Sequence, residues 1–145
     1  LPKRWNLSDK GDMKIVIDTN IWISYLLGGL LHGIDKKIVL KEIKVVVSDE
    51  MLKELSEVSG RPKFKNIFTA KRIKELFSLL DSYAIVVLLG QKVDVCRDKK
   101  DNFLLEVALE GRADYLITGD EDILVLGSFH NTKIIRPKDF EAMLK

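Results

Sequence analysis

Six acidic side chains stand near the predicted starts or ends of secondary-structure elements, where side chains from separate elements can meet. Asp18 directly follows a short apolar run, and two more aspartates follow another such run. Glu54 stands just over one turn into a predicted helix. Four separate segments therefore supply carboxylates that parallel strands would bring to one rim, namely Asp18, Glu54, Asp98, Asp101, Asp120 and Asp122.

Carboxylates that converge repel one another, and either a divalent cation or proton uptake relieves this repulsion. For so many acids, a metal is the better explanation. Oxygen-only ligands favour Mg²⁺ or Mn²⁺ over Zn²⁺. Such a cation polarises a phosphoryl oxygen and lowers the pKa of a bound water molecule, so the pattern favours hydrolysis of a phosphate ester.

The same acids also have a purely structural explanation, because aspartate and asparagine are favourable at helix N-termini. Asp18, Asp98, Asp101 and Asp122 could each serve as a helix cap and nothing more. The joint occurrence of all these acids favours the metal site over separate caps.

The helix that contains Glu54 also contains Glu50 and Glu57. On a helical wheel, Glu54 lies roughly 90° from the apolar centre, whereas the other two lie at about 130° and 150°. We therefore expect Glu54 to border the core and the other two glutamates to face water.

Five short apolar runs rich in β-branched residues predict strands at residues 13–17, 45–47, 83–89, 115–117 and 133–136. Helices are predicted over residues 20–27, 31–43, 48–59, 69–82 and 101–111, with a short one after Pro137. Asp101 or Asn102 is the predicted cap of the fifth helix. Strands alternating with helices predict the α/β class, with a mostly parallel sheet and helices on both faces.

The length of 145 residues predicts a single domain over residues 13–145, preceded by an N-terminal extension at residues 1–12. A net charge of +2 does not by itself indicate nucleic-acid binding. The single cysteine, Cys96, excludes an intramolecular disulfide and a thiolate zinc site. This cysteine usage predicts a reducing, cytoplasmic setting. Because no long apolar run is present, we expect no membrane segment.

A basic segment runs from Arg61 to Lys74 without an acidic residue. Lys71, Arg72 and Lys74 are the candidates for RNA binding, because cationic side chains neutralise phosphates. The alternative is a solvated helix face with Phe64 and Phe68 in the core. In the first helix, Trp22, Tyr25 and Leu26 predict either core packing or a subunit interface.

Four stretches, in order, resemble the PIN domain: IVIDTNIWIS, the ELSEV helix, RDKKDNFLLEVALEGRADYLITGDEDIL and IIRPKDF. More narrowly, they are similar to the branch of the VapC ribonucleases, the toxins of toxin–antitoxin systems. The resemblance implies an α/β/α sandwich that binds Mg²⁺ or Mn²⁺ and cleaves RNA, as a homodimer with an antitoxin partner. By matching motifs it implies catalytic and metal-binding roles for Asp18, Glu54, Asp101 and Asp120. Asn20, Asp98, Thr118 and Asp122 are implied or possible supporting residues.

Two other classes of function compete with this interpretation. A haloacid-dehalogenase-like phosphatase needs an aspartate where Asn20 stands, and a phosphoacceptor receiver domain needs a lysine where Arg136 and Pro137 stand. A non-catalytic module that binds RNA or protein would use the acids only as caps. Metal-dependent thermal stabilisation separates that module from the nuclease, because a ligand that binds only the native state stabilises it.

Overall fold

The computed structural model describes residues 13–144, in which strands and helices alternate along the chain. The predicted extension at residues 1–12 lies outside this range. The strands are β1 (Met13–Ile17), β2 (Ile43–Val47), β3 (Ile85–Val86), β4 (Tyr115–Ile117), β5 (Ser128–Phe129) and β6 (Thr132–Ile135). The helices are α1 (Thr19–Leu26), α2 (Ile34–Val39), α3 (Asp49–Ser59), α4 (Ala70–Tyr83), α5 (Lys99–Gly111), α6 (Glu121–Leu124) and α7 (Pro137–Met143).

The strands form one sheet in the order β3-β2-β1-β4-β6-β5. All neighbours are parallel except β5 and β6, which form an antiparallel hairpin. The chain leaves β1 towards β2 on one side, and β4 later fills the other side. This reversal places a topological switch point between β1 and β4, where open α/β sheets bind their ligands.

Side chains of β1 alternate between two separate cores, which confirms the predicted three-layer α/β/α sandwich. Ile15 and Ile17 pack with residues of α1, α2, α4 and α7 on one face of the sheet. Val16 packs with residues of α5 and α6 on the other face. Because these strand residues are fully buried, each contributes about 1.5–3 kcal/mol through the hydrophobic effect.

Two predicted elements are shorter in the structure than in the sequence analysis. The strand predicted at residues 83–89 is reduced to Ile85–Val86, because α4 continues through Tyr83 and, among the strands of residues 13–144, β3 pairs with β2 alone. The helix predicted at residues 31–43 is reduced to Ile34–Val39. It starts after Gly33, whose φ is 85°, and it is followed by Lys41 at φ 61°, so left-handed backbone bounds it on both sides.

The sequence analysis did not predict β5 or α6. These elements contain two and four residues, too few to produce a periodic pattern of apolar side chains. They matter for the site because α6 begins immediately after Asp120.

The aromatic residues of α1 and of the basic segment belong mainly to the core. Trp22 and Leu26 are 1% and 2% exposed, which confirms core packing for these two residues, whereas Tyr25 is partly exposed. Phe68 is buried and stacks on the half-buried Phe64, with ring centroids 5.2 Å apart. Across residues 13–144, the helices are too short or too polar to span a bilayer.

Candidate metal centre and substrate cleft

The parallel pairing of β1 and β4 brings Asp18 beside Thr118. Ile17 and Ile117 are paired in register, and the backbone N–H of Asp18 donates to the carbonyl of Ile117 at 3.0 Å. The next residue of each strand therefore leaves the sheet at the same place. There the Thr118 hydroxyl donates to Oδ2 of Asp18 at 2.7 Å.

Asp18 also caps α1, since its Oδ1 accepts from the backbone N–H of Asn20 at 3.3 Å. Burial raises the pKa of Asp18 above its ordinary value of 3.8, and the negative charge of Asp120 raises it further. The hydrogen bonds from Thr118 and from the backbone favour the charged form and oppose this rise. Capping and participation in a site are thus compatible at this residue.

Thr118 connects Asp18 with Asp120. Its side chain is fully buried, and its Oγ1 accepts from the backbone N–H of Asp120 at 3.1 Å while the hydroxyl donates to Asp18. Asp120 in turn caps α6 by accepting from the N–H of Asp122 at 2.9 Å. One threonine therefore positions two of the candidate ligands.

Asp101 is not the cap of α5, contrary to one of the predictions from sequence. Asp98 caps this helix by accepting from the N–H of Lys100 at 2.9 Å, and Asp101 lies in the first turn. Asp101 is only 8% exposed, and within residues 13–144 its buried Oδ2 has no hydrogen-bond partner. A helix cap does not explain this carboxylate.

Burial raises the pKa of Asp101 from 3.8 to about 6, with further contributions from the nearby carboxylates Asp120, Asp98, Asp18 and Asp122. These contributions show that all five aspartates belong to one electrostatic cluster. A buried carboxylate without a partner is costly, and a cation would relieve the cost.

Asp101, Asp120 and Asp122 each offer a carboxylate oxygen within 4.8 Å of the other two. Oxygen ligands on opposite sides of one divalent cation lie about 4–5 Å apart, so these three side chains fit such an ion. Asp122 is exposed and also accepts from Arg97 at 2.9 Å. This ion pair partly neutralises Asp122 and distinguishes it from Asp101.

The acids open into a cleft of about 650 Å³, which lies between α3, α5 and the carboxyl ends of β1 and β4. Seven acidic side chains line this cleft, namely Asp18, Glu50, Glu54, Glu57, Asp98, Asp101 and Asp120. Asn20 also lines it, with an exposed side chain. Asp122 is not among the residues that line the cleft.

The prediction that Glu54 borders the core while Glu50 and Glu57 face water is wrong, because the structure does not distinguish Glu54 from the other two. All three glutamates are exposed, and all three line the cleft. A helical wheel measures the angle from the apolar face of α3, on which Met51 and Leu55 are buried. It does not report where the neighbouring helices leave a cleft.

Asn102 has a structural function rather than that of a cap. It is 4% exposed, its Oδ1 accepts from the N–H groups of Val95 and Cys96, and its Nδ2 donates to the carbonyl of Cys96. These bonds attach the irregular segment before α5 to the helix. They also explain why an asparagine follows Asp101 in the DN pair.

The candidate RNA-binding residues Lys71, Arg72 and Lys74 lie on α4 and do not line the cleft. Lys71 is 3.9 Å from Glu75, and Arg72 donates to the carbonyl of Tyr25 at 3.2 Å. The earlier part of the basic segment does reach the cleft, at Arg61 and Lys63.

The sequence analysis did not single out Phe103 or Lys100, which also line the cleft. Phe103 is 45% exposed, although its neighbours Asn102 and Leu104 are buried. A signal was present in the sequence, because on a helical wheel Phe103 lies roughly 110° from the centre of the apolar face of α5, at its flank. A phenylalanine in a helix is ordinarily interpreted as core.

A family model described as PIN domain matches residues 14–122. An uncharacterized protein of Methanocaldococcus jannaschii is 32% identical over 145 aligned positions, which cover 91% of this chain and 92% of that protein. The matched residues include the acids that β1, α3, α5 and β4 deliver to the cleft. The order of the elements, the switch-point site and these comparisons agree: the chain belongs to the PIN domain family.

Proposed function

We propose that this protein is a divalent-metal-dependent endoribonuclease. In this proposal Asp18, Glu54, Asp101 and Asp120 hold Mg²⁺ or Mn²⁺ and form the catalytic centre, with support from Asn20, Asp98, Thr118 and Asp122. Membership of the PIN domain family and the cluster of acids support a metal-dependent nuclease. RNA as the substrate follows the resemblance described above.

The observation that carries the proposal is the state of Asp101. This side chain is nearly fully buried, and its Oδ2 has no hydrogen-bond partner within residues 13–144. Burial, with further contributions from the neighbouring carboxylates, raises its pKa to about 6. A purely structural role gives no compensation for that arrangement. Coordination of a cation compensates for both the burial and the mutual repulsion of the carboxylates.

The chain's own residues have separable functions in this centre. A bound divalent cation supplies polarisation of the phosphate and a lowered pKa for water. Thr118 orients the carboxylate of Asp18 and the backbone before Asp120. Asn102 holds the segment that leads into α5, so that Asp101 is presented from a rigid helix.

The direct test is incubation of the purified protein with a mixture of RNA oligonucleotides in the presence of Mn²⁺, Mg²⁺ or a chelator. We expect cleavage with either metal, none with the chelator, and losses of at least about 100-fold in Asp18→Asn, Asp101→Asn and Asp120→Asn. DNA oligonucleotides of the same sequences show whether the activity is confined to RNA.

Undiminished cleavage in all three variants would contradict the proposed centre. Absence of cleavage together with absence of a Mn²⁺-dependent rise in melting temperature would instead favour the non-catalytic binding module. A rise that disappears in Asp101→Asn supports the metal centre independently of any choice of RNA substrate.

The finer part of the proposal is that the protein is the toxin of a toxin–antitoxin pair and acts as a homodimer. Both statements rest on the resemblance. Of Trp22, Tyr25 and Leu26, the α1 residues considered for an interface, Trp22 and Leu26 pack in the core, so mainly Tyr25 is accessible to a partner subunit. Induced expression in a bacterial host should arrest growth with the wild-type protein and not with Asp101→Asn. Light scattering at tens of micromolar tests the dimer.

A further inference from the structure

We propose that Arg61, Lys63 and Phe103 form a strand-binding wall that positions the nucleic-acid substrate in the cleft that the acids also line. In this wall the two cations contact phosphates on either side of the scissile one, and Phe103 stacks on a nucleobase. The inference rests on the proposed nuclease function and adds the residues that orient its substrate.

The charges of the cleft require such a wall. Among residues 13–144, seven acidic side chains line the cleft and four basic ones do, namely Lys53, Arg61, Lys63 and Lys100. One divalent cation leaves the lining close to neutral, which is insufficient to hold a polyanion. Attraction for the strand must therefore come from the basic side chains, because binding of a phosphate backbone depends on neutralisation of its charges.

Arg61 and Lys63 are free to make this contact. Both are exposed, and within residues 13–144 neither side chain forms a hydrogen bond or an ion pair with a carboxylate. On α4, in contrast, Lys71 pairs with Glu75, and Arg72 is bonded to Tyr25. Lys74 is exposed and forms no ion pair with a carboxylate within residues 13–144, but it does not line the cleft, whereas Arg61 and Lys63 do.

The backbone of the wall is held in place by local structure. Arg61 follows α3, with its N–H donating to Val58 at 3.2 Å, and the 3₁₀ turn Pro62–Phe64 begins next. Phe64 then stacks on the buried Phe68, and Nζ of Lys63 lies 5.1 Å from the Phe64 ring centre. A turn attached to the core in this way presents its cations at a defined position.

Phe103 supplies the second half of the wall. Its ring is 45% exposed, lines the cleft beside Asp101, and has no aromatic partner within residues 13–144. A single exposed apolar side chain is common on protein surfaces, but a ring that lines a cleft together with cationic side chains offers a stacking surface for a nucleobase. Because a base must be unstacked to lie on this ring, the wall favours a substrate with an unpaired nucleotide near the cleavage point.

The charges are tested by a matched pair of double variants. Arg61→Ala/Lys63→Ala removes two charges inside the cleft, and Lys71→Ala/Lys74→Ala removes two exposed charges outside it. Binding of a fluorescent single-stranded RNA 12-mer is measured by anisotropy, in chelator, at several salt concentrations. We expect the cleft variant to bind more weakly and to reduce the slope of log K against log salt by about 1.4, with the control unchanged.

Phe103 is tested with Phe103→Leu and Phe103→Trp. Leucine keeps most of the apolar volume but loses the ring, and we expect roughly 5- to 100-fold weaker binding of the same RNA. Tryptophan keeps a stacking surface and should restore binding. Wild-type affinity for a fully paired duplex of the same sequence should be weaker than for the single strand.

The outcomes separate this inference from the proposed function. If wild type cleaves RNA and the wall variants bind and cleave as the controls do, the wall is wrong and the nuclease stands. If wild type binds but does not cleave, and the wall variants lose binding as described, the wall stands without the nuclease. Loss of binding in Lys71→Ala/Lys74→Ala but not in the cleft variant would also overturn the wall.

Discussion

The hydroxyl of Thr118 donates a 2.7 Å hydrogen bond to the carboxylate of Asp18, and its oxygen accepts the backbone N–H of Asp120 at 3.1 Å. These residues are a hundred positions apart in sequence and meet because β1 and β4 are paired in register. The charged form of Asp18 is stabilised by a neutral donor that is itself held by the sheet. Thr118 is therefore central to the geometry of the candidate metal centre.

Thr118→Val should weaken both metal binding and stability. The substitution keeps the shape of the side chain and removes both hydrogen bonds, so the pKa of Asp18 rises further and stability falls by about 1–3 kcal/mol. The matched control is Thr132→Val, which removes a buried 2.7 Å bond to the carbonyl of Ala113 outside the cleft. Calorimetric Mn²⁺ titration should show weaker binding in Thr118→Val only; equal affinities would contradict the role assigned to Thr118.

Asp101→Asn should abolish the stabilisation by metal without destabilising the metal-free protein. The carboxylate is buried, and its Oδ2 has no hydrogen-bond partner within residues 13–144, so removal of its charge relieves repulsion within the cluster. Melting temperatures with and without Mn²⁺ measure both effects. Asp114→Asn is the control, because Asp114 is an exposed carboxylate that accepts from the N–H of Lys14, away from the cleft. A large loss of metal-free stability in Asp101→Asn would show that the carboxylate has a structural partner.

The stability difference between Asp101→Asn and wild type should depend on pH. Unfolded chains lose the Asp101 proton near the ordinary pKa of 3.8, whereas the folded protein retains it to about 6. Between these values the folded state binds more protons, so this residue lowers the stability of metal-free wild type as pH rises. The variant does not lose stability in this way. Its free energy of unfolding, relative to that of wild type, should therefore rise by about 1–3 kcal/mol between pH 4 and pH 7. A difference that does not change with pH, measured by denaturant unfolding, would contradict the raised pKa.

Mn²⁺ affinity should increase from pH 5.5 to pH 7.5, since protons compete with the metal for Asp101 and Asp18, whose pKa values are both raised. Calorimetry in two buffers of different ionisation enthalpy measures the protons released on binding. We expect Mn²⁺ binding to release protons at pH 5.5 and to release few at pH 7.5. Equal affinity at both pH values would exclude these two carboxylates as ligands.

Among the glutamates of α3, Glu54→Gln should reduce Mn²⁺ affinity and cleavage by at least about 10-fold. The resemblance to the PIN domain assigns the metal ligand to Glu54 alone, so Glu50→Gln and Glu57→Gln should each change affinity by less than about threefold, the effect of a screened charge that does not touch the metal. All three line the cleft, so these variants are matched in chemistry and location. An equal loss of Mn²⁺ affinity in all three variants would mean that metal binding depends on the total charge of the cleft and not on Glu54 in particular.

Gly111→Ala should destabilise the protein by about 1–3 kcal/mol, because a Cβ at this position would overlap a methyl group of Val46. Gly111 lies in α5 where this helix packs closely on β2, and the left-handed residue that ends the helix is Arg112, at φ 51°. Adding Val46→Ala removes the overlapping methyl groups. The double variant should therefore be less destabilised than the sum of the two single variants. Strict additivity would show that contact with Val46 is not the cause.

The sequence by itself determined the fold class, because buried strands and amphipathic helices have different periods of apolar residues. Met13–Ile17 and Tyr115–Ile117 have the predicted bounds, and α3 and α4 begin after the predicted caps Ser48 and Thr69. It also indicated which acids stand at the ends of strands. Those patterns are local, so they can be identified without knowledge of which strands are neighbours.

Only the tertiary structure decided how those acids meet and what surrounds them. The order of β1 and β4 in the sheet brings Thr118 to Asp18, and packing around α5 buries Asp101 while Asp98 caps the helix. The position of the cleft separates Arg61 and Lys63 from Lys71 and Lys74, although all four belong to one basic segment. Burial, pairing and access to a cleft depend on residues distant in sequence, and a helical wheel or a run of charges contains no information about them.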